Sequence, residues 1–341
     1  MAVREASDDA VKLAAQLIRS GGLVAFPTET VYGLGANGLD AAACARIFKA
    51  KGRPQDNPLI LHISGLEQLA DIAVIDERTN LLAERFWPGP LTLVLSRTSL
   101  VPDIVTAGRN TVAVRFPGHQ VACRLIQEAG VPIAAPSANI SGRPSATTAE
   151  HVHQDLGGRV DMIIDGGAAE CGIESTILDV SGKIPCLLRP GFVTPREITS
   201  IIGSIEIDPS VLAVMPSTSP PKAPGMSYAH YQPLAELYLV AGGAEKARRA
   251  IAKMVADETQ KHKLGVITTN EGVSSYIGVN ALVFSLGSEA HPEVLAANLF
   301  SVLRRLDDES ITKAYAESFN AEGLEASIMN RLRKAASYRT I

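Results

Sequence analysis

"AKGRPQDNPLILHI", residues 50–63, joins the end of a helix to a buried strand, and the way it does so sets the fold class. Upstream, Asp40 stands at an N-cap position and "AAACARIFKAKG" (41–52) follows as the helix. Downstream, Pro58 opens the apolar run "LILHI", which reads as a strand. Lys51 and Arg53 lie between the two, one residue apart, with no acidic residue beside them. Two such cations at the mouth of a buried strand are either a solvated loop or half of an anion site.

Helix and strand signals continue to alternate outward from this stretch. Ser7 caps a helix running to about Ser20, with apolar residues at 11, 14, 15, 17 and 18, and Gly21-Gly22 stops it. "LVAFPTETVYGLG" (23–35) is a short buried strand ending in a turn. "LTLVLS", "TVAVRFP", "PIAAPS", "DMIIDGG", "STILDV" and "CLLRPG" supply further strands, with helices from His119 to Gly130 and near 148–156. Short β-rich runs interleaved with helices predict an α/β or α+β layer fold over residues 1–205. Residues 208–233 carry six prolines and little periodicity, so 206–233 reads as a semi-rigid linker. Alternation then resumes with "AELYLV", a helix over 244–261, "KLGVITT", "ALVFSL", a helix over 292–306 and a last helix "EASIMNRLRKAA". Residues 234–341 are therefore expected to form a smaller Rossmann-like domain.

Composition narrows the function. The 341 residues are 46% apolar and 20% charged, with a formal net charge of −4. That balance argues against a general polyanion binder, so any basic site is built locally from a few converging cations. Cys44, Cys123, Cys171 and Cys186 are widely spaced with no C-x-x-C pair, which suits a reducing compartment. No apolar run approaches the ~20 residues that span a bilayer. A cytoplasmic protein with no membrane association is expected.

The motifs sort unevenly. Gly33, Gly35 and Gly38 match G-x-G-x-x-G, yet Asp56, about 20 residues on, sits in a Pro/Gly/Asn loop and not at a second strand end, so glycines permitting a tight strand-to-helix turn are the better reading. No P-loop and no G-x-S-x-G elbow occurs. "APSANISGRPSAT" places Ser137 and Asn139 two apart after a strand, followed by Ser145; it is either a polar turn before the next helix or a phosphate and ribose contact. Arg115 and Arg189 close strands that lead into prolines, and with Lys51 and Arg53 they make four cations positioned to converge where α/β sheets bind ligands. His62 ends its strand and is a pocket candidate, whereas His151 and His153, two apart on a helix, read as surface residues. No protein metal cage is visible, so any Mg²⁺ is expected to ride on nucleotide phosphates.

Taken in order, "FPTETVYGLG", "AKGRPQDNPLILHI", "WPGPLTLVL", "TVAVRFP", "PIAAPSANISGRPS", "IDGG", "GIESTILDV" and "LLRPG" resemble the YrdC-like family, with its K-x-R and S-x-N pairs as Lys51/Arg53 and Ser137/Asn139. "APGMSYAHYQP" and "IMNRLRKAA" resemble the interdomain linker and C-terminal signature of the family's long, two-domain threonylcarbamoyl-AMP synthase branch. The resemblance implies a YrdC-like twisted mixed sheet with flanking helices, and a reaction in which L-threonine, bicarbonate and ATP give threonylcarbamoyl-AMP and pyrophosphate. Separate transfer proteins would then modify the tRNA adenosine beside the anticodon, with at most weak tRNA contact by this chain. By matching position, Thr30, His62, Arg115, Ala135 and Ser175 should line the threonine pocket. Arg53, Asn57, Thr111, Ser137, Asn139, Ser145 and Arg189 should hold the nucleotide, joined by Tyr228 and His230 from the linker. Lys51 belongs near the phosphates, and Lys51 and Arg53 are the expected catalytic pair, with Mg²⁺ accompanying ATP.

The linker departs from the family pattern. Ser227 and Ala229 replace residues that are usually basic, and Gln232 replaces the usual Ala. If the linker closes as a lid, Tyr228, His230 and Tyr231 remain to do it. Two rivals stay open at this stage. A carbamoyltransferase on the same domain would need zinc-binding cysteine pairs and a large further domain. A non-catalytic RNA-binding module would need the aromatic-basic interleaving that this chain lacks.

Overall fold

The structure, a computed structural model, describes residues 1–212, 221–226, 230–258, 261–319 and 322–341. Contacts divide the chain into two compact units. The first comprises residues 1–141, 145–170 and 174–227, and the second residues 142–144, 171–173 and 228–341.

Eleven strands make the sheet of the first unit. In chain order they are β1 (Ala2–Glu5), β2 (Val24–Phe26), β3 (Gly33–Asn37), β4 (Ile60–His62), β5 (Leu91–Ser96), β6 (Thr111–Arg115), β7 (Ile133–Ala134), β8 (Met162–Asp165), β9 (Thr176–Asp179), β10 (Cys186–Arg189) and β11 (Glu206–Ile207). Across the sheet they lie in the order β1-β8-β2-β3-β7-β4-β6-β5-β9-β10-β11, with parallel and antiparallel pairs mixed. The expected mixed α/β architecture is what the chain adopts.

Helix ends follow the sequence signals. Ser7 Oγ accepts from Ala10 N–H at 3.2 Å and starts Asp8–Arg19. Asp40 accepts from Ala42 N–H at 2.8 Å and starts Ala41–Lys51, which Gly52 ends with φ at 62°, a left-handed turn that favours glycine. Helices Asp8–Arg19 and Gln120–Ala129 bury Val24, Phe26, Met162 and Ile164 on one face of the sheet. On the opposite face Leu61, Leu93, Val114 and Leu178 form one core with Ile47 and Phe48, with Leu82 and Phe86 from helix Glu77–Phe86, and with Ile198 from helix Pro195–Ile202.

Two expectations are corrected. Gly33 and Gly35 lie within β3 and not in a strand-to-helix turn. A Cβ at Gly35 would approach Phe26 and Ile133 to 2.8 Å, so the glycines serve close packing across the sheet. His151 is half-buried, and its Nδ1 accepts from the Thr147 amide at 3.3 Å, while His153 is exposed as expected.

In the second unit β12 (Glu236–Val240), β13 (Leu264–Thr268), β14 (Leu282–Ser285) and β15 (Lys313–Glu317) form an all-parallel sheet in the order β12-β15-β13-β14. Its helices include Ala244–Asp257, Pro292–Asp308 and Gly323–Ala335, giving the smaller Rossmann-like domain. At the carboxyl ends of β13 and β15 the buried Glu317 carboxylate accepts from Tyr276 at 2.8 Å and pairs with Arg248 at 3.1 Å, a polar knot in its core. Among the described residues no helix is long and apolar enough to cross a membrane.

Candidate active site

Strand register builds the site. His62 pairs with Arg115 across β4 and β6, Arg115 with Thr92 across β6 and β5, and Thr92 with Ile177 across β5 and β9. Arg189 completes the row opposite Ile177, and a register shift between Leu187 and Arg189 inserts Leu188 as the extra residue of a bulge. Residues directly opposed in a sheet share a face, so this row presents its side chains together. Two residues back along the strands, Ile60, Ala113 and Val94 continue the face as an apolar strip with Ile177 and Leu188. Among the described residues no helical side chain joins that strip; Ala223 and Met226 of the linker cover it.

The Arg115 end is dense with polar groups. Arg115 Nη1 donates to Thr30 Oγ1 at 2.8 Å and Nε to the Gly89 carbonyl at 3.3 Å, and Nη2 lies 2.7 Å from Glu29 Oε1. Ser175 Oγ hydrogen-bonds Thr92 Oγ1 at 2.7 Å and accepts from Arg189 Nη2 at 3.1 Å. Ser145 Oγ donates to Glu174 Oε1 at 2.6 Å. His62 is buried, and burial together with the Arg115 charge pushes its pKa down to about 3, so the ring is neutral.

A second group gathers at the opposite end of β4 and β6. Lys51, the last residue of its helix, sends Nζ to the Ser137 carbonyl at 2.5 Å and to the Asn139 carbonyl, which ties the K-x-R motif to the S-x-N motif. Arg53 donates to the carbonyls of Asn57 at 3.2 Å and Pro58 at 2.9 Å. Ser137 Oγ donates to Asn139 Oδ1 at 2.6 Å. Asn57 is buried, and among the described residues its Oδ1 has no hydrogen-bond partner. Thr111 opens β6, four residues before Arg115, which places it about 13 Å away along the strand. Ala135 stands between the two ends, its amide donating to the Ile60 carbonyl at 2.9 Å.

The structure thus brings Thr30, His62, Arg115 and Ser175 together and sets Lys51, Arg53, Asn57, Thr111, Ser137 and Asn139 at the other end. Arg189 and Ser145, expected on the nucleotide, bond to Ser175 and to its neighbour Glu174. Three polar residues of the Arg115 end were missed from sequence: Glu29, Glu174 and Thr92. A lone acid inside each of the motifs "PTET" and "GIEST" was the available signal.

In the linker, Arg189 Nη1 donates to the Pro224 carbonyl at 3.2 Å and Arg109 Nε to that of Pro221 at 3.1 Å. Lys222 pairs with Asp179 at 3.6 Å. Tyr228, with Ser227 and Ala229, lies outside the described residues. His230 belongs to the second unit, where its ring lies 5.4 Å from that of Tyr231, and Gln232 there bonds Ser337.

A family model covering Sua5, YciO and YrdC, described as telomere recombination, matches residues 16–191, and the threonylcarbamoyl-AMP synthase C-terminal domain matches residues 193–337. The threonylcarbamoyl-AMP synthase of Pyrococcus abyssi is 50% identical over 97% of this chain and 95% of its own length. The chain belongs to the threonylcarbamoyl-AMP synthase family. Like the family it is an enzyme, and it makes threonylcarbamoyl-AMP by adenylyl transfer from ATP for the modification of tRNA. The Bacillus subtilis threonylcarbamoyl-AMP synthase is 44% identical over 98% of this chain and 95% of its own. The crystal structure of P. abyssi Sua5 complexed with L-threonine superposes with a TM-score of 0.94 at 46% identity, covering 100% of this chain and 99% of that one. Escherichia coli YciO, at 24% identity and a TM-score of 0.52 over 57% of this chain, shares the fold of the first unit.

Proposed function

We propose that the two ends of the β4–β6 face are the two halves of the synthase site. The strand row carries this reading, because it aligns His62, Arg115 and Thr92, to which Ser175 bonds, at one end of a face whose other end holds Lys51, Arg53 and Asn57. Threonine occupies the Arg115 end: its α-carboxylate meets the guanidinium, and its hydroxyl meets neutral His62, Thr30 and Ser175. The solved relative with L-threonine supports such a pocket here. The nucleotide lies along the face from Thr111, Asn57, Arg53, Ser137 and Asn139 toward Arg189 and Ser145.

The substrate supplies its own nucleophile. Threonine's amine and bicarbonate give a carbamate, whose oxygen attacks the α-phosphorus as pyrophosphate leaves. The protein holds two anions together and offsets charge on the phosphates, which is positioning plus electrostatic stabilisation. Lys51 and Arg53 do this directly, both buried and fixed by backbone carbonyls. Mg²⁺ would accompany the nucleotide and offset phosphate charge there: among the described residues no three His, Cys, Asp or Glu side chains are placed to hold a metal ion, and the donors here suit phosphate oxygens better than a metal.

Residues 1–205 carry catalysis, 206–233 act as linker and lid, and 234–341 form a separate C-terminal domain. The widely spaced cysteines support a cytoplasmic setting, in which partner proteins pass the threonylcarbamoyl group to tRNA.

Steady-state kinetics on two variants test the split. Arg115→Ala should raise the threonine KM by about tenfold or more with little change for ATP, and Asn57→Ala should do the reverse. Equal effects of each variant on both substrates would contradict the assignment.

A further inference from the structure

Glu29 is a buried acid beside Arg115 that the reading above leaves without a task. It lies in the loop after β2, pinned by Thr28 Oγ1, which accepts from the amides of Thr30 at 3.2 Å and Val31 at 3.3 Å. Glu29 is 8% exposed and lies 2.7 Å from Arg115 Nη2. The contact is close but poorly aligned, and among the described residues Glu29 Oε1, Glu29 Oε2 and Arg115 Nη2 are all buried without a well-formed hydrogen bond. An ion pair built only for stability would spend these groups on each other, because buried charge with unused hydrogen-bonding capacity is costly. A cation and an anion side by side, each with capacity left, complement a ligand that carries both charges on neighbouring groups. An α-amino acid is such a ligand.

We propose that Glu29 receives the α-amino group of threonine and takes up the proton this group releases as it becomes a carbamate. The inference rests on the assignment of the Arg115 end to threonine. In the step, the nitrogen lone pair forms the N–C bond and one C–O bond of bicarbonate breaks. This follows transfer of one ammonium proton to the Glu29 carboxylate, which frees that lone pair; the departing hydroxide then leaves as water with a second nitrogen proton, and the third stays on the carbamate nitrogen. Before substrate arrives, burial works against the Glu29 anion, but Arg115 and the amides of Gly118 and Glu29 outweigh it and hold the carboxyl below the usual range. Once the substrate carboxylate engages Arg115, that hold relaxes and the proton affinity of Glu29 rises.

Calorimetry on the full chain tests this with L-threonine, 3-hydroxybutyrate (threonine without its amine) and threoninol (threonine without its carboxylate). Wild type should prefer threonine to 3-hydroxybutyrate by about ten- to a hundredfold. Glu29→Gln should remove most of that preference by weakening threonine alone, and kcat at saturating threonine should fall with it. Glu29→Asp, which keeps the charge, should restore part of the preference, and thermal unfolding of both variants shows that they are folded. Equal weakening of threonine and 3-hydroxybutyrate would reduce Glu29 to a support for Arg115 and overturn the proposal, as would an unchanged preference. If Arg115→Ala leaves the discrimination between threonine and threoninol intact, the pocket assignment itself fails and takes the proposal with it.

Discussion

Lys51 serves structure and chemistry with one ammonium. Its Nζ joins the carbonyls of Ser137 and Asn139, so Lys51→Ala leaves two acceptors short of a donor and should cost about 1–3 kcal/mol in denaturant unfolding. Adenylate formation should be lost in Lys51→Ala and also in Arg53→Ala; near-normal turnover in both would refute the site. The motif pairs that carry this were legible because each is local in sequence and ends an element. Glu29 was not legible as a site residue, because its meaning comes from Arg115, brought beside it only by the fold. His62 gives a pH test. Its folded pKa of about 3 lies below the ordinary 6.5, so the unfolded chain binds the extra proton between those values, and stability falls as pH drops through that window. His62→Gln should flatten that part of the stability profile; an unchanged slope would remove His62 as its source.

Among the elements, the strand end at Arg189 is the most tightly constrained. A Cβ on Gly191 would stand 2.3 Å from the Thr176 amide nitrogen and 2.6 Å from the Ser175 carbonyl carbon. Gly191→Ala should therefore push Ser175 and Arg189 apart, cost about 1–3 kcal/mol and lower turnover by more than that loss of stability explains. Full activity with an unchanged melting temperature would contradict this. Sequence gave most strands and the well-capped helices, such as Asp8–Arg19 with Ser7 and Ala41–Lys51 with Asp40. It missed the edge strand β1, which is held by parallel pairing to β8 far along the chain and carries little apolar pattern of its own. It misread β3, because glycines at 33, 35 and 38 look like a turn until Phe26 and Ile133 are seen to leave no room for a Cβ at Gly35. The strand order, and with it the row from His62 to Arg189, is a product of long-range pairing that no local signal encodes.

For the whole chain the linker is the informative part. Ala223 is fully buried on the apolar strip between the two ends of the site, and Arg189 holds the Pro224 carbonyl. Ala223→Asp would put a charge on that strip and should lift the segment, lowering turnover by about tenfold or more while the first unit stays folded; deletion of 224–233 should abolish turnover. Full activity in either would end the lid reading. Proline content marked this segment as a linker, but its bed against the sheet depends on Ile60, Val94, Ala113 and Ile177 from three strand pairings. The most direct test of the synthase reading is pyrophosphate release from Mg-ATP, with threonine and bicarbonate each added or withheld. Release that requires both is the predicted result, and release that proceeds without threonine, or none under any combination, would contradict it.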